Sequence, residues 1–304
     1  MIQHGCESLK SRNIIFALKV LLLHLFFLTN NEAHATQKIN KEGATDKPGY
    51  QVLKERLGTW ATAAHQGGLF YYEPNTIQQF EYAYKKGIQI VEMDLRITKD
   101  NIPVVYHDPD LGSWTDCTGF VKDYTWKELQ HCRFKNHEDQ RISSFAEVLK
   151  WSNGKIVVDA EFKDMETIEP ALRLVKKYQA DTWVYFQTQS SPDKFTLARK
   201  WSKTLGIEVA LLFAVQNAEN IEFVKSRNDP ALLIVEVVPE TRSSQLIREF
   251  QAMGKLVTED AWHFRKDWEI FKAACLPAFQ HEINIAVSNR VDGCVKQKQE
   301  FIGK

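Results

Sequence analysis

From residue 61 onward the chain alternates short apolar, β-branched runs with amphipathic stretches of helical period, and this alternation constrains the fold more than any other feature. The strand-like runs are 61–65, 88–95, 103–107, 156–163, 183–188, 209–214, 232–238, 256–259 and 291–295. Between them, Asn75 is placed to cap a helix that buries Ile77, Phe80 and Tyr84 and ends at Gly87. Ser191-Pro192 opens a second helix, with Phe195, Ala198 and Trp201 on one side. Leu246, Phe250 and Met253 line a third, stopped by Gly254. Repeated strand–helix units predict a parallel sheet with crossover helices. The runs number one too many for an eight-stranded barrel. Only Lys99-Asp100-Asn101 separates the second run from the third, however, and a parallel crossover needs about a dozen residues. The third run is therefore expected to be a hairpin return. The expected fold is α/β, a TIM (β/α)8 barrel with a β-hairpin extension after the second strand. A doubly wound open sheet has the same segment order and stays open as the alternative.

The first 35 residues read as a signal peptide. Lys10, Arg12 and Lys19 precede or open an apolar run, Val20 to Leu28, that only His24 interrupts, and Ala33-His34-Ala35 follows as a small-x-small cleavage site. An uncleaved N-terminal anchor is the alternative. The run is too short to span a bilayer as a mature helix, and Cys6 lies ahead of it, out of place for a lipid-bearing cysteine. The expectation is an exported chain, periplasmic or secreted, with a polar leader over 36–60 and one domain over 61–304. Cys117, Cys132, Cys275 and Cys294 remain after such a cleavage. Four cysteines permit two disulfides, in any of three pairings. Cys117 with Cys132 is the preferred local pair because both flank one polar loop; free buried thiols are the alternative. Lys+Arg and Asp+Glu both total 39, so no basic field exists to hold nucleic acid.

The candidate chemistry sits at strand ends. In Ile90-Val91-Glu92-Met93-Asp94 the period-two alternation puts Glu92 and Asp94 on one face and Val91 and Met93 on the other, toward helices. Neighbouring carboxylates need a cation, a shared proton or water. Taken alone, Glu-x-Asp fits a solvated edge better than a site. Asp159, Glu161 and Lys163 share a face of the fourth run. Glu161 offers a third oxygen ligand, Asp159 lies deeper as a structural partner, and Lys163 either faces a phosphate or pairs with Glu161 or Asp159. Three converging carboxylates suit a hard cation, Ca²⁺ or Mg²⁺. His65 ends the first run ahead of Gln66-Gly67-Gly68, whose small residues let a ligand approach the backbone, and His107 ends the hairpin return. Two histidines flanking a metal-bound phosphate can serve as general base and general acid. His24, His131, His137, His263 and His281 read as structural.

These residues carry a resemblance. Ala64-His65-Gln66-Gly67-Gly68, Pro74-Asn75-Thr76, Glu92 through Asp100, Pro103 through Asp108, Ser143 through Leu149 and Glu161-Phe162-Lys163 resemble, in order, the glycerophosphodiester phosphodiesterases. The match is specific from about residue 61 to 163. Val291-Asp292-Gly293-Cys294-Val295 looks like the family's last barrel strand. The resemblance implies a TIM barrel that hydrolyses phosphodiesters of a glycerol-like or lipid-derived alcohol. It implies one divalent cation, Ca²⁺ ahead of Mg²⁺, on Glu92, Asp94 and Glu161, and His65 with His107 as the acid–base pair. Gln66 and Lys163 would meet the phosphate, and a substrate hydroxyl beside it would be the first nucleophile. The chain departs from the family at Gln66, where Arg is usual, at Glu73-Pro74, whose order is swapped, and at Lys296-Gln297, where Thr-Asp is usual after the last strand. Related readings are a phospholipase D-like or sphingomyelinase D-like enzyme acting on lysophospholipid or lipid, and a binding protein of the same fold. Phe70, Tyr71 and Tyr72 either touch a membrane surface over the site or simply cover the barrel end, and Trp262 is placed to line the pocket.

Overall fold

The computed structural model describes residues 47–69, 71–261 and 275–303. The expected signal segment, Cys6, His24, Phe70, Trp262, His263 and most of the leader lie outside the described residues.

Eight parallel strands close on themselves: β1 (Ala61–Ala64), β2 (Ile90–Ile97), β5 (Val157–Phe162), β6 (Val184–Gln187), β7 (Ala210–Val215), β8 (Leu232–Val237), β9 (Leu256–Asp260) and β10 (Ile285–Ser288). β1 pairs with both β10 and β2, which completes the barrel. The hairpin return is present as β3 (Pro103–Val105), antiparallel to β2, and β4 (Ser143–Ser144) adds a second antiparallel partner. Period-two alternation sorts the side chains. Val91, Met93, Val158, Ala160, Phe186 and Val235 face outward into the layer between strands and helices. Ala61, Ala63, Ile90, Val157, Tyr185, Ala210, Ile234 and Ile285 fill the barrel interior.

One helical expectation holds closely. The helix Pro192–Leu205 starts behind Ser191, whose hydroxyl accepts from Lys194 N, and it buries Phe195 and Ala198. The helix Phe145–Ser152 has a full capping box between Ser144 and Glu147. Others are corrected. The cap of Ile77–Lys85 is Thr76, not Asn75; Phe80 is buried, but Gln79 and Ala83 accompany it rather than Tyr84. Met253 is exposed beyond the end of Ser244–Ala252, where Ile247 is buried instead. Val291–Val295 is not a strand: it opens the helix Val291–Ile302, which buries Val291 and Cys294 three residues apart, and the last barrel strand is Ile285–Ser288. Asn289-Arg290, not Lys296-Gln297, therefore follows the barrel's final strand.

Part of the polar leader is also structural. A helix, α1 (Gly49–Leu57), buries Leu53 and Leu57 against the first residues of the strands and closes the N-terminal end of the barrel. Burying each leucine is worth about 1.5–3 kcal/mol. Arg56 Nη2 donates to Gly154 O at 2.6 Å, ahead of β5. Among the described residues no helix is long and apolar enough to cross a membrane.

Between β3 and β4 a satellite cluster forms around Tyr106, Leu111, Val121, Leu129, Phe134 and Ile142. Cys117 and Cys132 are disulfide-bonded inside it, with a Cα–Cα distance of 5.5 Å, and Cys275 is bonded to Cys294. Cys117 and Cys132 are 15 residues apart. In the chain-entropy account, closing a loop of that length contributes about 3 kcal/mol. Replacing both cysteines with serine should lower the urea midpoint of this cluster by a corresponding amount. An unchanged midpoint would show that the loop is held without the bond.

Candidate active site

The register of β2 and β5 builds the acidic centre. Glu92 stands opposite Asp159 and Asp94 opposite Glu161, so four carboxylates meet on adjacent inward positions. Glu92, Asp94 and Glu161 offer oxygens that all lie within 4.8 Å of one another, and all three residues are buried. Burial first, then repulsion from Asp94, Asp159 and Glu161, pushes the Glu92 carboxyl well above the usual carboxylate range. Such crowding is relieved by a cation, and oxygen donors of this kind suit a hard one. The residues present fit a divalent ion. Lys163 supplies one positive charge to the cluster, with Nζ 2.9 Å from Asp94 and 2.8 Å from Glu161. Burial opposes its charge, but the two carboxylates outweigh burial and raise its pKa. Lys163 is thus ion-paired with Glu161, and Asp94 rather than Asp159 is the second partner.

The turn after β1 holds this cluster from the other side. Gln66 (φ 52°), Gly67 (φ 82°) and Gly68 (φ 93°) follow one another in the left-handed region. A Cβ on Gly67 would stand 2.7 Å from the Phe80 ring, so a side chain there is excluded on space as well as conformation. The turn aims Gln66 N at Glu92 Oε2 (2.7 Å) and Gln66 Nε2 at Asp94 Oδ2 (2.9 Å). Gln66 is therefore engaged with both carboxylates. Asn75, also at positive φ, donates to Asp94 Oδ2 at 2.7 Å and accepts from Asp94 N at 3.1 Å. Glu73 is buried, and its backbone N–H donates to Gln140 Oε1.

His65 is partly exposed, at 32%, with Nε2 4.0 Å from Glu92 Oε2. Its Nδ1 lies 2.8 Å from Asn289 Oδ1. An amide oxygen accepts, so Nδ1 carries the hydrogen and Nε2 keeps its lone pair toward the carboxylates. Burial lowers the His65 pKa; the Asn289 bond and the Asp94 charge work against that shift, and the charges of Lys163 and His107 add to it. His107 is more exposed, at 49%, and its Nδ1 is 2.6 Å from Asp108 Oδ1. Trp114 Nε1 donates to the other Asp108 oxygen at 2.8 Å. Asp108 is held below the usual range because these two bonds and the charges of His107 and Arg96 together overcome its burial. Arg96 fixes the His107 backbone, with Nε and Nη2 donating to its carbonyl at 2.9 and 2.8 Å.

Inside the mouth is a cavity of about 400 Å³ whose lining includes His65, Glu92, Asp159, Glu161, Glu236 and Asp260. Burial first, then repulsion from Glu236, Glu259, Glu161 and Asp159, pushes the Asp260 carboxyl well up. Gln189 Nε2 donates to Glu161 Oε1 at the rim.

Several of these residues escaped sequence reasoning. Asn75 carries the signal of a helix cap, and only the fold turns it toward Asp94. Asn289 is hidden by placing the last strand six residues too late. Glu236 and Asp260 were findable, because each stands at the C-terminal end of an inward-facing strand position.

A closed (β/α)8 barrel with paired acids and a histidine at the C-terminal ends of its strands has the architecture of an enzyme whose site lies at the barrel mouth. The glycerophosphoryl diester phosphodiesterase family model matches residues 65–267, and the chain belongs to that family. The family is generally metal-dependent. A glycerophosphodiester phosphodiesterase of Bacillus subtilis is 38% identical over 119 residues, 39% of this chain and 36% of that protein. Human glycerophosphodiester phosphodiesterase 1 is 38% identical over 80 residues, 26% of this chain and 24% of that protein. The chain spans between 27% and 56% of the length of four curated bacterial relatives that it matches. A glycerophosphoryl diester phosphodiesterase from Parabacteroides distasonis has the same fold, with a TM-score of 0.70 at 21% identity over 84% of this chain and 92% of that one. An Oleispira antarctica phosphodiesterase solved with its product sn-glycerol-3-phosphate has a TM-score of 0.66 at 18% identity, covering 83% of this chain and 100% of that one.

Proposed function

We propose that the chain hydrolyses glycerophosphodiesters to an alcohol and sn-glycerol 3-phosphate in a reaction that depends on a divalent cation, Ca²⁺ ahead of Mg²⁺. The observation that carries this reading is the meeting of Glu92, Asp94 and Glu161 within 4.8 Å beside a histidine. A cation held there supplies positive charge to a phosphate oxygen. Ca²⁺ is favoured because three carboxylates on flexible side chains suit its looser coordination better than the strict octahedron of Mg²⁺.

The chain's own residues move the protons. His65, kept neutral, takes the proton from the substrate hydroxyl next to the phosphate as that oxygen attacks phosphorus. His107, oriented by Asp108, gives a proton to the departing alcohol. Water then opens the cyclic phosphate with the two roles reversed. Lys163 balances negative charge on the phosphate, and Gln66 acts by holding Glu92 and Asp94 in place. Export is part of the proposal: the N-terminal pattern and two disulfides fit an oxidising compartment.

The test is to incubate the purified chain with glycerophosphocholine, glycerophosphoethanolamine and a lysophospholipid, each with Ca²⁺, Mg²⁺ or chelator. Release of sn-glycerol 3-phosphate with Ca²⁺ but not with chelator is expected. No release under any condition sinks the reading. A second reading, a lipid phosphodiesterase, is favoured by the exposed rings of Tyr71, Tyr72 and Trp114, the last bonded to Asp108 beside His107. Turnover of micellar lipid alone would select it.

A further inference from the structure

We propose that Trp114 is a positioning residue for the proton donor: its indole N–H holds the Asp108 carboxylate so that Nδ1 of His107 stays occupied and Nε2 is left for proton transfer. This rests on the phosphodiesterase reading and adds a residue to its machinery. In the first step of that reaction the substrate hydroxyl bonds to phosphorus, the P–O bond to the alcohol breaks, and the proton on His107 Nε2 goes to the departing oxygen.

His107 lies just beyond β3 with its imidazole half-exposed, and Asp108 beside it is 31% exposed. An exposed ion pair does little to fix either side chain, because water competes for both. The 2.6 Å contact between His107 Nδ1 and Asp108 Oδ1 therefore does not set the ring on its own. Trp114 supplies the second anchor, donating from Nε1 to Asp108 Oδ2 at 2.8 Å. With one donor on each oxygen the carboxylate cannot rotate without losing a bond, and bonds to a charged group are the strong ones. Arg96 holds the other end of the residue. Its Nε and Nη2 both donate to the His107 carbonyl, and its Nη1 donates to Asp164 at 2.8 Å. Backbone and ring of His107 are thus fixed by separate residues.

The segment between β3 and β4 makes Trp114 a firm anchor. Lys135 N donates to Trp114 O at 2.9 Å, and the next residue, Thr115, forms an antiparallel bridge with Phe134. Thr115 is buried, and its hydroxyl donates to Leu111 O at 2.9 Å. The Cys117–Cys132 disulfide joins the same two arms, and Leu111 and Phe134 pack in the satellite cluster. The Trp114 backbone is therefore held in place while its side chain stays 45% exposed. A ring so open to solvent adds little to packing, whereas its one N–H is aimed at the partner of the proton donor. The satellite cluster and its disulfide thereby reach the chemistry through a single indole.

The test uses the full chain with Trp114→Phe, which keeps a ring and removes the N–H, and with Asp108→Ala. Values of kcat/KM are compared for glycerophosphocholine and for the p-nitrophenyl ester of sn-glycerol 3-phosphate. Both report the steps up to departure of the alcohol, and p-nitrophenolate departs without needing a proton. Trp114→Phe should lose about tenfold on glycerophosphocholine and less than about twofold on the nitrophenyl ester. A loss as large on the nitrophenyl ester, or no loss on either, overturns the proposal. In the Asp108→Ala background, adding Trp114→Phe should cost less than about a further twofold. A second tenfold loss there would show that Trp114 acts on something other than Asp108, and overturns it as well. One readout needs no turnover: the tautomer ratio of neutral His107, measured by NMR. The Nδ1–H form should predominate in the wild type and give way to the Nε2–H form in Trp114→Phe; an unchanged ratio counts against the proposal. If the wild-type chain hydrolyses neither ester, the phosphodiesterase reading fails and the tautomer ratio still decides the role of Trp114. Hydrolysis with an unselective loss would do the reverse.

Discussion

His65→Gln should fold normally and lose about 10²–10⁴-fold in kcat/KM on a glycerophosphodiester. Glutamine is close in size to histidine and can still donate to Asn289, so the packing at the end of β1 survives. It cannot take up a proton, and that is the function assigned to Nε2. The substitution therefore separates proton transfer from structure. The checks are steady-state kinetics beside urea denaturation of the same preparation. A loss below tenfold with an unchanged midpoint would remove His65 from the proton-transfer role. His107→Gln should fall by a similar factor, because the hydroxyl proton and the leaving-group proton belong to the same displacement.

Removing divalent metal should have a still larger effect. Charge stabilisation by a bound cation is worth several kcal/mol, so a chelator should lower turnover by about 10³-fold or more, and added Ca²⁺ should restore it. A second readout does not depend on activity. Glu92 is buried among acids that repel it, so a cation binding only the folded chain raises thermal stability, by about 2.7 kcal/mol at one hundred times its dissociation constant. Glu161→Gln should abolish both the rescue and the shift in melting temperature. Full activity in chelator, with no change in melting on adding Ca²⁺, would leave Glu92, Asp94 and Glu161 as an ion-pair network around Lys163.

Much of this arrangement is legible in the residue pattern. Glu92-x-Asp94 and Asp159-x-Glu161 share a parity, and parity survives folding because a strand cannot rotate one side chain without rotating its neighbours. The hairpin return was forced by the three residues between the second and third runs. What the pattern hid has physical reasons. Val291, Cys294 and Val295 satisfy helical spacing as well as β propensity, while the true strand Ile285–Ser288 is only four residues long and offers little alternation. α1 hides in a polar stretch because only Leu53 and Leu57, one helical turn apart, are buried strongly. Asn75 shows the limit of local rules, since capping chemistry and long-range hydrogen bonding use the same side-chain amide.

The stopper formed by α1 has a practical consequence. Gly49 starts that helix at the end of the barrel opposite His65, since Leu53 and Leu57 meet the opening residues of strands whose closing residues carry the site. A bead, dye or solid support joined at Lys47 would therefore sit on the far side of the molecule, and the substrate entrance would face the solution.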